Sequence, residues 1–354
     1  MLTGIAFGVI PARNASRLNR EAALRFEYEA LVHGLHLPED MEALAPLQPR
    51  ARAFLDSIAG PGLEELPLTD ARKGVVAAQS IVPIPLPDVA VEERDFRGVR
   101  VFIYRPAKRV VPAALYFHGG GWVLCNRETH DRLMRELAAR SGAAIVFVEY
   151  SLSPEVKYPV ALEEAYTALQ HVAEHGREYG LDASRLAVAG DSAGANLATA
   201  VCMLAKRRGG PQIQLQVLLF PVTDAAMDSP SYREFADGYF LTRAQMHWFW
   251  DCYAPDRARR AEATASPLRA ALEDLRGLPP TLVITADHDV LRDEGEAYAQ
   301  KLAAAGVPVT VTRYPGTIHA FMVLNAFTQD PSPRNAIEQT AAALRTALFK
   351  EESI

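Results

Sequence analysis

Three features are scarce in this 354-residue sequence: cysteine, long apolar runs and an excess of basic charge. No Cys-x-x-Cys pair is present, and the three cysteines, Cys125, Cys202 and Cys252, cannot all be paired with one another. This count argues against a disulfide framework and favours a reducing compartment, predicted to be the cytoplasm. No run approaches the roughly 18 consecutive apolar residues of a membrane helix, so we expect a soluble protein without membrane insertion. The mildly apolar stretch at residues 2–12 lacks a basic region before it and does not predict a signal peptide.

The 37 Lys and Arg against 43 Asp and Glu supply no basic surface, so nucleic acid is not expected as a partner.

Apolar residues are plentiful, at 49% of the chain, and from about residue 100 their pattern alternates between short β-branched runs and longer amphipathic ones. This alternation is typical of βαβ units on a mostly parallel sheet, and it predicts an open α/β sheet with crossover helices. The predicted strands are 99–104, 113–117, 144–148, 186–189, 215–219, 281–285 and 309–313. The predicted helices are 131–140, 160–174, 195–206, 294–305 and 335–348.

Two stretches interrupt the alternation, and together they predict a helical cap. Residues 1–75 are interpreted as an N-terminal extension with cap helices, because prolines and the Gly60-Pro61-Gly62 turn punctuate them. Residues 226–275 form an aromatic-rich insertion that contributes to the cap, between core segments 76–225 and 276–354. Ligands of open α/β sheets bind beyond the carboxyl ends of the strands, where such an insertion can cover the site.

A serine follows the strand at 186–189 in the pattern Gly-x-Ser-x-Gly, and a predicted helix comes next. In Gly190-Asp191-Ser192-Ala193-Gly194, the glycines leave room for a tight, strained turn that lifts the Ser192 hydroxyl above the sheet. This placement between strand and helix predicts a nucleophile elbow.

A second glycine-rich turn, His118-Gly119-Gly120-Gly121-Trp122, follows the strand at 113–117. Glycines allow bare backbone amides to point at one spot, and with the amide of Ala193 they would bind the oxyanion of a tetrahedral intermediate. Ser192 also needs a base that is oriented by a carboxylate. His319, in the loop after strand 309–313, is the preferred base over His288, which lies among carboxylates. Asp287 and Asp289, at the end of strand 281–285, are the two candidate acids.

The chain resembles the hormone-sensitive-lipase-like esterases of the α/β-hydrolase fold, and closely their bacterial branch with a Gly-Asp-Ser-Ala-Gly elbow. The resemblance covers about residues 40–350. Besides the two glycine-rich motifs, it is carried by Tyr150-Ser151-Leu152-Ser153-Pro154-Glu155, Phe220-Pro221-Val222-Thr223-Asp224, Ser266-Pro267-Leu268, Asp289-Val290-Leu291-Arg292-Asp293-Glu294 and Tyr314-Pro315-Gly316 with His319. The chain departs from the family pattern at Ser151, Ser153, Val290 and Ala320, which affects inferences about substrate preference.

This resemblance implies a serine carboxylesterase for short- to medium-chain carboxylic esters that needs no cofactor and no metal. It assigns the nucleophile to Ser192, the base to His319 and the acid to Asp289, with Asp287 as the fallback. It assigns the oxyanion hole to Gly120, Gly121 and Ala193, with Gly119 as a further candidate. The motifs also place Trp122, Val290 and Ile318 near the substrate, and the family suggests a homodimer through the sheet edge at 309–313.

Several alternatives compete with this interpretation. A long-chain lipase has the same motifs, whereas a ligand-binding receptor on this fold lacks the catalytic histidine that is present here as His319. Hydrolases of haloalkanes or epoxides need a carboxylate in place of Ser192. The segment His171-Val172-Ala173-Glu174-His175 formally matches a zinc pattern, but its position in the last turn of a helix is more typical of a solvated helix end.

Overall fold

A computed structural model describes residues 44–58, 60–80, 82 and 84–349. Within these ranges one eight-stranded sheet forms the centre of the molecule, with the strand order β1-β2-β4-β3-β5-β6-β7-β8. Residues 1–43, which include most of the predicted N-terminal extension and the apolar stretch at 2–12, lie outside the described residues.

The sheet is parallel from β4 to β8, while β2 runs antiparallel to both of its neighbours, β1 and β4. The predicted α/β class with a mostly parallel sheet is therefore confirmed. The strands are β1 (Ala90–Phe96), β2 (Val99–Arg105), β3 (Val111–Phe117), β4 (Ala144–Glu149), β5 (Leu181–Asp191), β6 (Leu215–Leu219), β7 (Thr281–His288) and β8 (Val309–Ile318).

Helices cover both faces of the sheet, with α3 packed against α10 and α4 packed against α5. The α-helices are α1 (Pro49–Ser57), α2 (Leu68–Ser80), α3 (Arg127–Ser141), α4 (Val160–His175), α5 (Ala193–Arg208), α6 (Pro230–Glu234), α7 (Arg243–Tyr253), α8 (Leu272–Leu275), α9 (Arg292–Ala304) and α10 (Pro331–Leu348). Short 3₁₀ helices span Leu63–Glu65, Gly176–Tyr179, Arg259–Ala261, Pro267–Arg269 and Asn325–Phe327.

Strands β3, β6 and β7 are buried along their whole length, as strands with helices on both faces must be. All seven residues of β3 and all five of β6 are buried, so their side chains alternate between two helical layers instead of between core and water. This explains why these strands have continuous apolar sequences. No helix in the described ranges is long and apolar enough to cross a membrane.

The sequence pattern did not predict β1, and it placed the start of β5 at residue 186 instead of Leu181. Strand β1 lies at the edge of the sheet and contains four charged residues, Glu92 to Asp95. An edge strand exposed to water does not need apolar side chains on both faces, and charge on it opposes edge-to-edge association. The early part of β5 is likewise polar at Asp182, Ser184 and Arg185.

The two stretches that interrupt the alternation contact each other. Phe54 of α1 and Phe240 of the 226–275 insertion have ring centroids 5.7 Å apart. The same insertion supplies α7, whose Phe249 and Tyr253 pack over the glycine-rich turn that follows β3.

Candidate active site

Ser192 occupies a strained turn between β5 and α5, with φ +54° and ψ −119°. A left-handed φ is costly for a residue with a side chain, and it persists only where the surroundings enforce it. Here the enforcement comes from close packing. A Cβ on Gly190 would lie 2.3 Å from the Gly194 carbonyl oxygen, and one on Gly194 would lie 1.9 Å from the Phe117 carbonyl oxygen. Glycine is therefore required on both sides of Ser192.

The three predicted catalytic side chains meet at the carboxyl edge of the sheet. The Ser192 Oγ lies 3.0 Å from Nε2 of His319, and Nδ1 of the same imidazole lies 2.7 Å from Oδ2 of Asp289. His319 follows β8 and Asp289 follows β7, so parallel strands bring together residues that are far apart in the sequence. All three side chains are buried, and they form a continuous hydrogen-bonded chain from hydroxyl to imidazole to carboxylate.

The fallback acid, Asp287, has different partners. Its Oδ2 accepts a hydrogen bond from the Gly316 amide at 3.1 Å, and its Oδ1 lies 3.9 Å from Nη1 of Arg313. Asp287 therefore fixes the loop that carries the histidine, while the other oxygen of Asp289 accepts from the Leu291 amide at 3.0 Å.

The glycine-rich turn after β3 uses the left-handed backbone region at two consecutive glycines, Gly120 at φ +100° and Gly121 at φ +62°. The Gly120 carbonyl accepts from the amides of Val123 and Leu124, which closes the turn. The Gly119 amide is already committed, since it donates to Oδ1 of Asp191 at 3.0 Å. Among the described residues, no acceptor is found for the amides of Gly120, Gly121 or Ala193.

His118 holds this turn from behind. Its Nδ1 bonds with the Gly119 carbonyl at 2.7 Å, and its ring stacks on Tyr150 with centroids 4.3 Å apart. The Tyr150 hydroxyl donates to the His118 carbonyl at 2.6 Å. Burial and, to a smaller extent, the nearby His130 lower the pKa of His118 to about 3, so this imidazole is neutral at physiological pH.

The three residues predicted to lie near the substrate are all fully buried. Trp122 stacks on Tyr253 of α7, with ring centroids 4.1 Å apart and planes 6° apart. Ile318 belongs to the main hydrophobic core, and the Val290 carbonyl accepts from the Ser231 hydroxyl at 2.7 Å.

Phe249, which the sequence did not single out, contacts the glycine-rich turn directly. A Cβ on Gly121 would lie 2.2 Å from its ring. Phe220 is a second such residue, with its ring edge-on to the His319 imidazole at a centroid distance of 5.0 Å. Both aromatic residues lie in segments that the sequence did mark, the insertion and the Phe220–Asp224 motif.

Glu294 is a buried acid that connects two of the motifs found in the sequence, Phe220–Asp224 and Asp289–Glu294. Its Oε1 accepts from the amides of Thr223 at 2.5 Å and Asp224 at 3.2 Å, and its carbonyl accepts from the Thr223 hydroxyl at 2.9 Å. Burial raises the pKa of Glu294 well above its usual range despite these hydrogen bonds, with Asp224 and Asp289 adding to the increase. The motif after β6 is thereby held against the segment that carries Asp289.

A mostly parallel sheet, a serine on a strained turn after a central strand, and an acid and a histidine after later strands define the α/β hydrolases. Comparison with known proteins agrees with this class. Residues 114–323 match a family model described as alpha/beta hydrolase fold. The carboxylesterase NlhH of Mycobacterium tuberculosis is 36% identical over 314 residues, which cover 84% of this chain and 98% of that protein. Ethyl acetate hydrolase of Pseudomonas putida is 35% identical over 72% of this chain and 81% of that protein.

Solved structures give the same result. A thermostable esterase from Pseudomonas putida ECU1011 superposes with a TM-score of 0.85 and 47% sequence identity, covering 86% of this chain and 99% of that one. A fungal esterase from Rhizomucor miehei gives a TM-score of 0.82 and 42% identity over 86% and 98% of the two chains. The chain belongs to the hormone-sensitive-lipase-like esterases of the α/β-hydrolase fold and is a carboxylic ester hydrolase.

Proposed function

We propose that this protein is a serine carboxylesterase that hydrolyses short- to medium-chain carboxylic esters through an acyl-enzyme on Ser192. The observation that carries the proposal is the hydrogen-bonded chain of Ser192, His319 and Asp289, at 3.0 Å and 2.7 Å. A serine hydroxyl is a weak nucleophile at neutral pH, and this arrangement supplies both the base and the group that orients it.

In the proposed acylation step, the Ser192 oxygen attacks the ester carbonyl carbon while Nε2 of His319 accepts the hydroxyl proton. The carbonyl π electrons move to oxygen and give a tetrahedral oxyanion. When the intermediate collapses, the C–O bond to the alcohol breaks and His319 returns the proton to the leaving alkoxide. Water then attacks the acyl-enzyme by the same sequence, which releases the acid and restores Ser192. Asp289 holds the Nδ1–H tautomer and stabilises the imidazolium. No step requires a metal or an organic cofactor.

We assign the oxyanion hole to the amides of Gly120, Gly121 and Ala193. The engagement of the Gly119 amide by Asp191 favours these three over Gly119. Ala193 is the first residue of α5, so its amide carries the partial positive charge of a helix N-terminus. Donors arranged in advance stabilise charge that develops only in the transition state.

Two observations support a preference for smaller acyl chains. The Phe249 ring lies against Gly121 and occupies space beside the proposed oxyanion hole. One relative, ethyl acetate hydrolase, is named for a two-carbon acyl ester.

The contact between Phe54 and Phe240 supports the proposal that residues 44–75 and 226–275 form one cap. Trp122, Val290 and Ile318 are fully buried. We propose that they support the residues that line the pocket instead of contacting the substrate over a large area.

The test is hydrolysis of p-nitrophenyl esters from acetate to palmitate by the purified protein, with and without EDTA and a serine-directed organophosphate. We expect activity to be highest on short or medium chains, to be unaffected by EDTA, and to be abolished by the organophosphate with one covalent adduct on Ser192. Activity that rises towards palmitate would instead identify a lipase. No activity on any ester would favour the ligand-binding alternative.

We also propose a homodimer that forms through the β8 edge of the sheet, and a cytoplasmic location. Among the described residues β8 pairs only with β7, and Val311 on it is 45% exposed. The three free thiols, Cys125, Cys202 and Cys252, favour a reducing compartment.

Val311→Lys is expected to weaken the dimer, because two-fold pairing of edge strands brings the two introduced charges close together. Val110→Lys is the matched control, since Val110 is 50% exposed in the loop before β3. Light scattering after size exclusion, over a range of protein concentrations, measures the effect. A wild type that is monomeric throughout, or equal behaviour of the two variants, would contradict this interface.

A further inference from the structure

A buried histidine and a buried aspartate lie directly beneath the proposed oxyanion hole, outside the catalytic triad. Asp191 is the last residue of β5, and its Oδ1 accepts three hydrogen bonds. The donors are the Tyr116 hydroxyl at 2.9 Å, the Gly119 amide at 3.0 Å and Nε2 of His130 at 3.1 Å. Asp191 and His130 are 2% and 1% exposed, so both are shielded from bulk solvent.

The other nitrogen of His130 contacts the preceding residue of the same helix. Its Nδ1 lies 2.8 Å from the Thr129 hydroxyl oxygen. That hydroxyl has one proton, which it donates to the Asn126 carbonyl at 2.7 Å, while it accepts from the Asn126 amide at 3.1 Å. Thr129 therefore holds the imidazole on the side away from Asp191. Since an ionised carboxylate can only accept, Nε2 carries a proton and donates it to Asp191.

The surroundings of Asp191 agree with this assignment. Burial by itself raises the pKa of a carboxyl group, yet the pKa of Asp191 is lowered, because the electrostatic interaction with His130 and the hydrogen bonds from His130 and Tyr116 outweigh burial. Burial raises the pKa of Tyr116 well above its usual range, so Tyr116 is a neutral donor. An unpaired charge at this depth would be strongly destabilising, whereas a paired and hydrogen-bonded one is tolerated.

Asp191 connects the two halves of the proposed catalytic machinery. It immediately precedes Ser192 in the chain, and its carboxylate holds the amide of Gly119, which immediately precedes Gly120 and Gly121. The contact is close, because a Cβ on Gly119 would lie 2.3 Å from Oδ2 of Asp191. His130 fixes this carboxylate from the first turn of α3, a helix whose start is set by the Asn126 capping box.

We propose that His130 and Asp191 form a buried, hydrogen-bonded pair of positioning residues that aligns the oxyanion-hole amides with the Ser192 oxygen. The inference rests on the proposed function, because it assumes that Gly120, Gly121 and Ala193 bind the oxyanion. Neither residue touches the substrate. The pair acts through the Gly119 amide on one side and through the backbone of the nucleophile turn on the other.

Two variants probe the pair by mild substitutions. His130→Gln keeps an N–H donor that can reach Asp191 but removes the imidazole ring, and Asp191→Asn removes the carboxylate at nearly constant shape. We expect kcat on p-nitrophenyl esters to fall about 10-fold and about 100-fold respectively, at or below the loss that follows removal of one oxyanion donor. KM should change by less than about threefold, because the neutral ester makes little use of the oxyanion hole. The double variant should be no worse than Asp191→Asn, since the two residues act as a unit.

His171→Gln is the matched control. His171 is also a helical histidine with an aromatic neighbour, since it stacks on Phe96 at 4.3 Å and bonds Tyr179 at 3.1 Å, and it has no contact with the site. We expect this variant to keep wild-type kcat.

A pair of inhibitors separates positioning from general damage. With a trifluoromethyl ketone the Ser192 oxygen adds to the carbonyl carbon, its proton passes to His319, and the former carbonyl oxygen becomes an oxyanion. The corresponding alcohol occupies the pocket but forms no oxyanion. We expect the inhibition constant of the ketone to rise by the same factor as kcat/KM falls, while that of the alcohol stays constant. Equal loss of affinity for both compounds, or unchanged kcat in both variants, would overturn the proposal.

Nitrogen NMR of the histidine rings gives a second measurement that does not depend on turnover. In the Ser192→Ala protein at neutral pH, the resonances that disappear on His130→Gln should show a proton on Nε2, the nitrogen that faces Asp191. A bare Nε2 would overturn the hydrogen-bonded pair, even if the Asp191 variant failed to fold. The proposed function has its own test, because ester turnover and organophosphate labelling of Ser192 in the wild type succeed or fail independently of His130.

Discussion

Replacing Ser192 with alanine is expected to lower kcat for ester hydrolysis by about 10⁶-fold, the scale on which a serine hydrolase responds to loss of its nucleophile. Alanine has no oxygen to attack the carbonyl carbon, and His319 then has no hydroxyl proton to accept. The fold should be kept, because the backbone contacts of residue 192 do not involve its side chain. Its amide donates to the Leu219 carbonyl at 2.8 Å, and its own carbonyl accepts from the Val222 amide at 3.2 Å.

The measurement combines turnover of p-nitrophenyl acetate with intact-mass analysis after organophosphate treatment. The variant should gain no adduct, and its melting temperature should stay close to that of the wild type. Ser141→Ala is the control, because Ser141 is also buried but lies at the end of α3, where its hydroxyl oxygen accepts from the Ala143 amide at 3.2 Å. Retained turnover or labelling in the Ser192 variant would place the nucleophile elsewhere.

The next largest effect is expected for Asp289→Asn, about 10⁴-fold in kcat, as is typical when the acid of such a triad becomes an amide. The asparagine amide favours the wrong imidazole tautomer and removes the negative charge that stabilises the imidazolium. Asp287→Asn is the matched comparison, because Asp287 has the same chemistry two residues away. We expect it to reduce kcat by less than about 10-fold, since its partners are the Gly316 amide and Arg313.

Rates at saturating substrate, together with melting temperatures, distinguish the two acids. Asp287→Asn should act mainly on stability, through the loop that carries the histidine. If it were the more damaging of the two in kcat, the acid would have to be reassigned to Asp287.

The features that the sequence predicts well are those encoded by neighbouring residues. The buried strands, their crossover helices and the Ser192 elbow each have a local pattern, because burial on both faces requires apolar runs and a tight turn requires glycine. Strand β1 has no such pattern, since four consecutive charged residues are compatible with an exposed edge and with a loop alike.

Contacts across long sequence separations could not be predicted in the same way. His130 and Asp191 are 61 residues apart, and no spacing rule relates a residue on α3 to the end of β5. The Gly119 amide donates to that same carboxylate. The glycine run alone therefore does not show which of its three amides are free to bind an oxyanion. Phe249 is a similar case, because an aromatic insertion indicates a cap but does not indicate which ring contacts Gly121.

The order in which the chain supplies its parts has a consequence for biosynthesis. The hydroxyl, the carboxylate and the imidazole lie at the ends of β5, β7 and β8, and β8 is the last strand of the sheet. A nascent chain that has left the ribosome only as far as Asp289 holds the proposed nucleophile and acid but lacks the proposed base, His319. We therefore expect the protein to be inactive until β8 and His319 have been made and that strand has docked. Recovery of ester turnover during refolding would thus report the completion of the sheet, and not the formation of any single part of it.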